Sequence, residues 1–334
     1  RRFFRLPAAD PILREEAILE GTRSRKVVIG LGMRTKREYS VILMFAELSI
    51  TSNFTFLTGA SHPEEYMARA CELELPAIAI ADDNSVAGIV RAFTAAKSIA
   101  RQVRERQEWD KEHGAVGPAR PDHISQTAGS FPSYHVPRLI PAAKLVFGNA
   151  PAVTALPMNR DGWGSLCRLL SLGKLRSEKG DCQLELEDLL TEGRNLHLLL
   201  WPQETPCDGG ASGWAPHVQR LTRRFGPELH LLMHPHYDGR DAERFTRLAA
   251  EARALGLPTL ASAAPLMHHG RRRRLADVLS AIRLGRRVDT LGRAALANSE
   301  KRLRSKAQMQ RLFRDHDGAL ERAGVLAERL QFSL

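Results

Sequence analysis

Pro76-Ala77-Ile78-Ala79-Ile80-Ala81 is an unbroken apolar run that ends at Asp82-Asp83-Asn84. A strand with one face in water alternates apolar and polar side chains, whereas a continuous run suits a strand buried on both faces. Such strands belong to parallel sheets covered by helices, and helical signals flank this one. Upstream, Ser61-His62-Pro63-Glu64-Glu65 puts proline and two acids in a first helical turn. There the missing proline N–H costs nothing, and carboxylates face the positive end of the helix dipole. That helix is expected to run to about Glu74, and a second from about Ser85 to Gln107.

Working outward, residues 45–50 read as a strand, 138–147 and 152–156 as the next two strands, and 196–201, 229–233 and 259–263 as three more. Helical patterns occupy 159–175, 184–190, the stretch up to Phe225, and 241–255. Between 108 and 137 the chain is rich in Pro, Gly, Ser and His and reads as a long loop, with a flexible turn at 207–213. Strands alternating with helices at this spacing imply parallel βα units. Six or seven such units suit a barrel-like wrap better than a short open sheet. After Arg271 the pattern is helical to the end. The expected organisation is an extension at 1–43, an α/β domain at 44–268 and a basic helical segment at 269–334.

The chain has 334 residues, 43% hydrophobic and 26% charged, which is ordinary for a globular protein able to build its own core. Cys71, Cys167, Cys182 and Cys207 are scattered, with no CxxC pair, and read as reduced thiols in a cytoplasmic protein. No apolar stretch is long enough for a bilayer, so a membrane is not an expected partner. The first methionine is Met33, as expected of a fragment or of a sequence whose start is misplaced. The net charge of +11 favours a polyanionic partner, and its location is informative. Residues 271–314 hold fourteen Lys and Arg against Asp277, Asp289 and Glu300, an excess equal to the whole net charge.

Phe45-Ala46-Glu47-Leu48-Ser49-Ile50-Thr51-Ser52-Asn53-Phe54-Thr55-Phe56-Leu57, running on to Glu65, resembles the opening of the error-prone DNA polymerases of the C family. Pro76 to Gly88 resembles their next block. Leu169 to Lys174 with Glu178-Lys179-Gly180 resembles a third, and Leu266-Met267-His268 running into 273–283 a fourth. Four blocks in the expected order are specific, where one alone would be weak. The resemblance implies a PHP-type distorted (β/α) barrel followed by the start of a helical segment. It implies a parent enzyme that adds nucleotides with two magnesium ions in a palm domain beyond this chain. It also implies partners: DNA, and either the remainder of the polymerase or mutagenesis and replication proteins.

In the metal-binding relatives of that fold, His, Asp and Glu at the carboxyl ends of strands hold up to three metals that activate water against phosphoesters. This sequence departs from their pattern. Ser49 and Thr51 stand where His-x-His is expected, Asp82-Asp83 where Asp-His is, Ala143 in place of a glutamate, and Ala263-Ala264-Pro265-Leu266 in place of Asn-Asp-x-His. Only Asp82 survives. The expectation is a catalytically silent barrel acting as scaffold, with no cofactor of its own. The competing reading is a standalone phosphoesterase with a reduced, mononuclear site built on Asp82, His234, His236 and His268, because His234-Pro235-His236 is the most metal-like spacing left.

Arg271-Arg272-Arg273-Arg274 places four cations at a helix amino-terminus, against the dipole. An anionic partner would remove that penalty, so Arg271, Arg272, Arg273 and Arg274, with Arg286 and Arg287, are the expected nucleic-acid contacts. The alternative is an exposed, solvated first turn. Asp315-His316-Asp317-Gly318 has too few oxygen ligands for a calcium loop and reads as a turn joining helices.

Overall fold

The computed structural model describes residues 45–113, 135–203 and 214–334. Strands β1 (Glu47–Ile50), β2 (Ala77–Ile80) and β3 (Arg138–Pro141) form a parallel three-stranded sheet in that order. All four residues of β2 are buried, as the unbroken apolar run requires. A second sheet contains β4 (Ala143–Leu145), β5 (Val153–Pro157), β6 (Leu196–Leu200), β7 (Leu229–Met233) and β8 (Thr259–Ala261) in sequence order. The last three are mutually parallel, but β4 with β5 and β5 with β6 are antiparallel.

That mixed sheet departs from the all-parallel expectation. The single strand read over 138–147 divides at Ala142, where the chain passes from one sheet to the other. The link from β4 to β5 covers only residues 146–152, and so short a connection cannot make the crossover that parallel pairing demands.

The two sheets close on each other at both edges. On one side the Lys144 N–H donates to Asp82 O (3.0 Å) and Asn84 N–H to Lys144 O (2.8 Å). On the other side β1 and β8 share no ladder. Instead the Glu47 carboxylate accepts from Ala263 N–H (2.8 Å), from Ser262 Oγ and from Ser49 N–H (3.2 Å). One backbone bond follows, from Thr51 N–H to Pro265 O (3.2 Å). A side chain thus stitches the seam of a distorted barrel.

Nine α-helices lie among the described residues. They are α1 (Pro63–Glu72), α2 (Ala87–His113), α3 (Arg160–Leu175), α4 (Leu186–Glu192), α5 (Ala215–Phe225), α6 (Asp241–Leu255), α7 (Arg273–Leu284), α8 (Lys306–Leu312) and α9 (Asp317–Arg329). Helix α2 continues past Gln107, so the loop read from 108 begins later; its residues 114–134, like 207–213, Cys207 and the 1–43 extension, lie outside the described residues. Cys71, Cys167 and Cys182 are free thiols.

The helical segment after 268 is not uniform. Met309, Phe313, Leu320, Ala323, Leu326 and Leu330 enter the same core as the strands. Phe313 stacks on Phe245 of α6 at 4.5 Å between centroids. Arg138 on β3 donates to the carbonyls of Ala327 and Leu330 at the end of α9, and Arg329 pairs with Glu228 at 2.9 Å. Helix α7 is docked more lightly, burying only Ala276 and Ala281 and leaving Leu275, Val278 and Ile282 exposed.

Candidate functional site

Parallel barrels build sites at the carboxyl ends of their strands, where side chains from several strands converge. Here that mouth is closed by neutral hydrogen bonds and one ammonium group. Ser49 Oγ lies 3.0 Å from Thr154 Oγ1, which also accepts from Trp201 Nε1 at 3.0 Å. Lys144 Nζ sits 4.4 Å from the centroid of the Trp201 ring and 3.4 Å from Asp83 Oδ1. The Trp201 ring is 4.9 Å from His234, and His234 stacks on His236 at 5.2 Å. His234 is almost wholly buried, and its Nδ1 has no hydrogen-bond partner among the described residues. Burial, then His236, Lys301 and Lys144, push its pKa down to about 3, so the ring is neutral at ordinary pH.

Asp82 is buried and already spoken for. Its Oδ1 accepts from Ser52 N–H (2.8 Å) and Thr55 Oγ1 (2.9 Å), and its Oδ2 from Ser52 Oγ (2.7 Å). A Cβ added at Gly88 would stand 2.7 Å from Oδ2, so the start of α2 presses directly on this carboxylate. Burial raises its pKa in spite of the three donors. Asp82 therefore pins the loop that follows β1.

His268 lies elsewhere. Its N–H donates to Ser61 Oγ (3.0 Å), its Nδ1 is 2.8 Å from the same oxygen, and Glu65 Oε2 is 3.6 Å away. The structure brings His234 and His236 together, but Asp82 is held by Ser52 and Thr55 and His268 by Ser61, so the four do not converge. Among the described residues no three His, Cys, Asp or Glu side chains converge as a metal would need. The residues present do not fit a polynuclear metal centre.

The arginine cluster also divides. Arg272 pairs with Glu65. Arg273 donates to Leu296 O (2.7 Å) and lies 3.4 Å from Asp277. Arg271 and Arg274 are exposed. Arg286 is exposed, and Arg287 is tied only to Asp289 at 2.8 Å. Contact with an anion is thus open to Arg271, Arg274, Arg286 and Arg287, while Arg272 and Arg273 first hold the turn in place.

Several groups that shape the molecule carry little signal in the sequence. Glu47 is completely buried, and desolvation raises its pKa to about 7 against hydrogen bonds that lower it. An acid inside a strand otherwise read as apolar is the available signal. His197 and His230 form a second polar cluster near the amino ends of β6 and β7. His197 Nε2 lies 2.9 Å from His230 Nδ1, and its Nδ1 lies 2.6 Å from Glu228 Oε2.

Residues 47–210 match the family model described as the PHP domain. That span is a PHP domain. The chain carrying this PHP domain is 42% identical over 300 residues to a protein of Ruegeria pomeroyi named error-prone DNA polymerase, covering 87% of this chain and 26% of that one. It is 38% identical over 291 residues to a protein of the same name from Rhodopseudomonas palustris strain BisB5, covering 87% and 23%. The chain thus spans about a quarter of the length of the curated relatives it matches. Among solved structures, a putative metal-dependent phosphoesterase from Bifidobacterium adolescentis aligns with a TM-score of 0.39 at 12% identity, over 66% of this chain and 87% of that one. No helix among the described residues is long and apolar enough to cross a membrane.

Proposed function

We propose that the chain is the PHP portion of an error-prone, C-family DNA polymerase, and that its barrel is a structural module of that enzyme, not a phosphoesterase. Similarity over 87% of the chain to proteins of that name supports the first half. The second half is carried by one observation: the barrel mouth is filled by the Ser49–Thr154–Trp201 hydrogen bonds and by the Lys144 ammonium. A fixed cation at that place repels a divalent metal, and hydroxyls that bond each other are poor ligands for one. Magnesium-dependent nucleotide addition, damage-tolerant synthesis across lesions and a cytoplasmic setting belong to the parent polymerase in this reading. The PHP portion works with the remainder of that polymerase and with DNA.

Elemental analysis of the purified chain, alongside hydrolysis of a generic phosphodiester, tests the scaffold role. The expected result is substoichiometric zinc and manganese without turnover. Near-stoichiometric metal with turnover would overturn it in favour of a reduced phosphoesterase site. DNA contact is tested separately by anisotropy with a labelled duplex across a salt series. Replacing Arg274, Arg286 and Arg287 together by alanine should weaken binding and flatten the log–log salt dependence by about 0.9 for each phosphate no longer neutralised. An unchanged slope would remove those residues from the interface.

A further inference from the structure

A cleft of about 460 Å³ opens between α1 and the turn that leads into α7, lined by none of the residues that fill the barrel mouth. Glu65, Arg69 and Glu72 line one wall, and His269, Arg271 and Arg272 the other. Two guanidinium groups are held in place by the two carboxylates: Arg69 Nη1 lies 2.6 Å from Glu72, and Arg272 pairs with Glu65. The third, Arg271, is left exposed without an ion pair among the described residues. Among the described residues Arg69 uses only Nη1 on Glu72, and its Nε is buried without a hydrogen-bond partner. With both carboxylates neutralised, the cleft keeps one unbalanced positive charge and unused N–H groups on both walls.

The neighbouring imidazole reports the same field. His269 Nδ1 accepts from Arg271 N–H at 3.1 Å, so the neutral ring carries its proton on Nε2, a further donor. Burial first, then Arg69, Arg271 and Arg302, lower the pKa of His269. Three guanidinium groups from two walls around a neutral donor form a receptor for a tetrahedral anion, since a planar fork matches phosphate oxygens two at a time.

We propose that this cleft seats one phosphate group of a nucleic-acid strand, which makes Arg69 on α1 a phosphate-binding residue alongside Arg271. The proposal rests on the reading that the Arg-rich turn meets DNA, and it locates a discrete site where that reading has only a charged surface. Arg69 lies about 200 positions before the basic segment and carries no signal of its own in the sequence.

The test uses the full chain, titrated with inorganic phosphate, with a 5′-phosphorylated single-stranded oligonucleotide and with its 5′-hydroxyl counterpart. Binding is followed by calorimetry and by the NMR titration of the His269 ring. The expected result is saturable phosphate binding that raises the pKa of His269. Arg69→Met and Arg271→Met should each weaken it by at least about tenfold, as expected for loss of a charge-assisted fork. Arg69→Lys should fall between, and the triple Arg274, Arg286 and Arg287 alanine variant should bind phosphate as the parent does. Urea unfolding midpoints confirm that each variant is folded. Equal affinity for the two oligonucleotides assigns an internal backbone phosphate, and preference for the 5′-phosphate assigns a strand end. Phosphate that leaves His269 unmoved overturns the cleft, as does an equal loss in the triple variant; salt-dependent duplex binding that persists in either case leaves the DNA reading standing. Phosphate bound in the cleft without any oligonucleotide binding overturns both.

Discussion

The barrel carries a pair of histidines at each end, and the two pairs are built on opposite principles. Near the amino ends of the strands, His197 and His230 are hydrogen-bonded to each other, His197 is bonded to Glu228, and Glu228 is held by Arg329 of α9. Those bonds run in an unbroken line that ties the last helix to the barrel. At the carboxyl ends, His234 and His236 stack on each other beside a tryptophan that a lysine covers. His234 Nδ1 there makes no hydrogen bond of ordinary geometry among the described residues. A satisfied buried network makes a core rigid, whereas an unsatisfied buried group costs free energy unless a ligand or another chain completes it. The bonded end does structural work, and the stacked end leaves a buried polar atom unsatisfied.

The largest effect expected from this contrast is at the bonded end. His197→Leu keeps the volume but leaves Glu228 and His230 facing an apolar group. Stranding the buried His230 nitrogen and removing one bond of the half-buried Glu228 should cost about 3 kcal/mol in urea unfolding. A loss under about 1 kcal/mol would mean that the line is incidental and that α9 is held by its apolar contacts alone.

The acid limb of the stability profile comes next. His230 is pushed down to about 3, by burial first and then by the charge of His197 and Arg322, and His234 likewise to about 3. The unfolded chain takes up protons near 6.5 and the native one only near 3. Stability from these groups is therefore complete above the unfolded value and lost as pH falls from there toward the native one. Unfolding midpoints should drop steeply between about pH 6 and pH 4, and His230→Phe should flatten the drop. A profile level across that range would show that the imidazoles can charge in place.

Much of this architecture was legible, and the reasons for the rest are physical. The strand at 76–81 announced itself because burial on both faces erases alternation, and β7 and β8 did so for the same reason. The division of 138–147 left no mark, since both halves are buried and only Ala142, a small residue, sits where the chain changes sheet. His234-Pro235-His236 drew notice because its spacing is local. His197 and His230 are 33 positions apart inside leucine-rich runs, and only the parallel register of β6 with β7, which sets Leu199 against His230, makes them neighbours. Contacts created by register are invisible to a reading along one chain. The same holds for Arg69 and Arg271, which meet only because α1 packs beside the turn before α7.

A smaller effect, opposite in sign to the acid limb, comes from the seam. Glu47 is raised to about 7 by burial, above its ordinary 4.5, so the native state holds a proton that the unfolded chain has released. The stability linked to that proton is complete below about 4.5 and is lost as pH rises through about 7. Glu47→Gln should abolish the decline between about pH 4.5 and pH 7. It should also impose a constant cost of about 1–2 kcal/mol, because an amide cannot accept from all three donors of the seam. A decline that survives the substitution would point to another group.

The smallest change is expected at the stacked end. His234→Phe preserves an aromatic ring between Trp201 and His236 and removes the buried nitrogen that has no partner. Deleting an unsatisfied polar atom while keeping the packing is close to neutral, so unfolding free energy at about pH 7 should move by less than about 1 kcal/mol. At about pH 5 the variant should be the more stable of the two, because a phenyl ring has no proton to refuse while the unfolded parent chain gains one on His234. A loss near about 3 kcal/mol at neutral pH would instead give His234 a bonded role like that of His197. The two ends of the barrel would then differ in geometry alone, since each histidine pair would hold a bonded structural role.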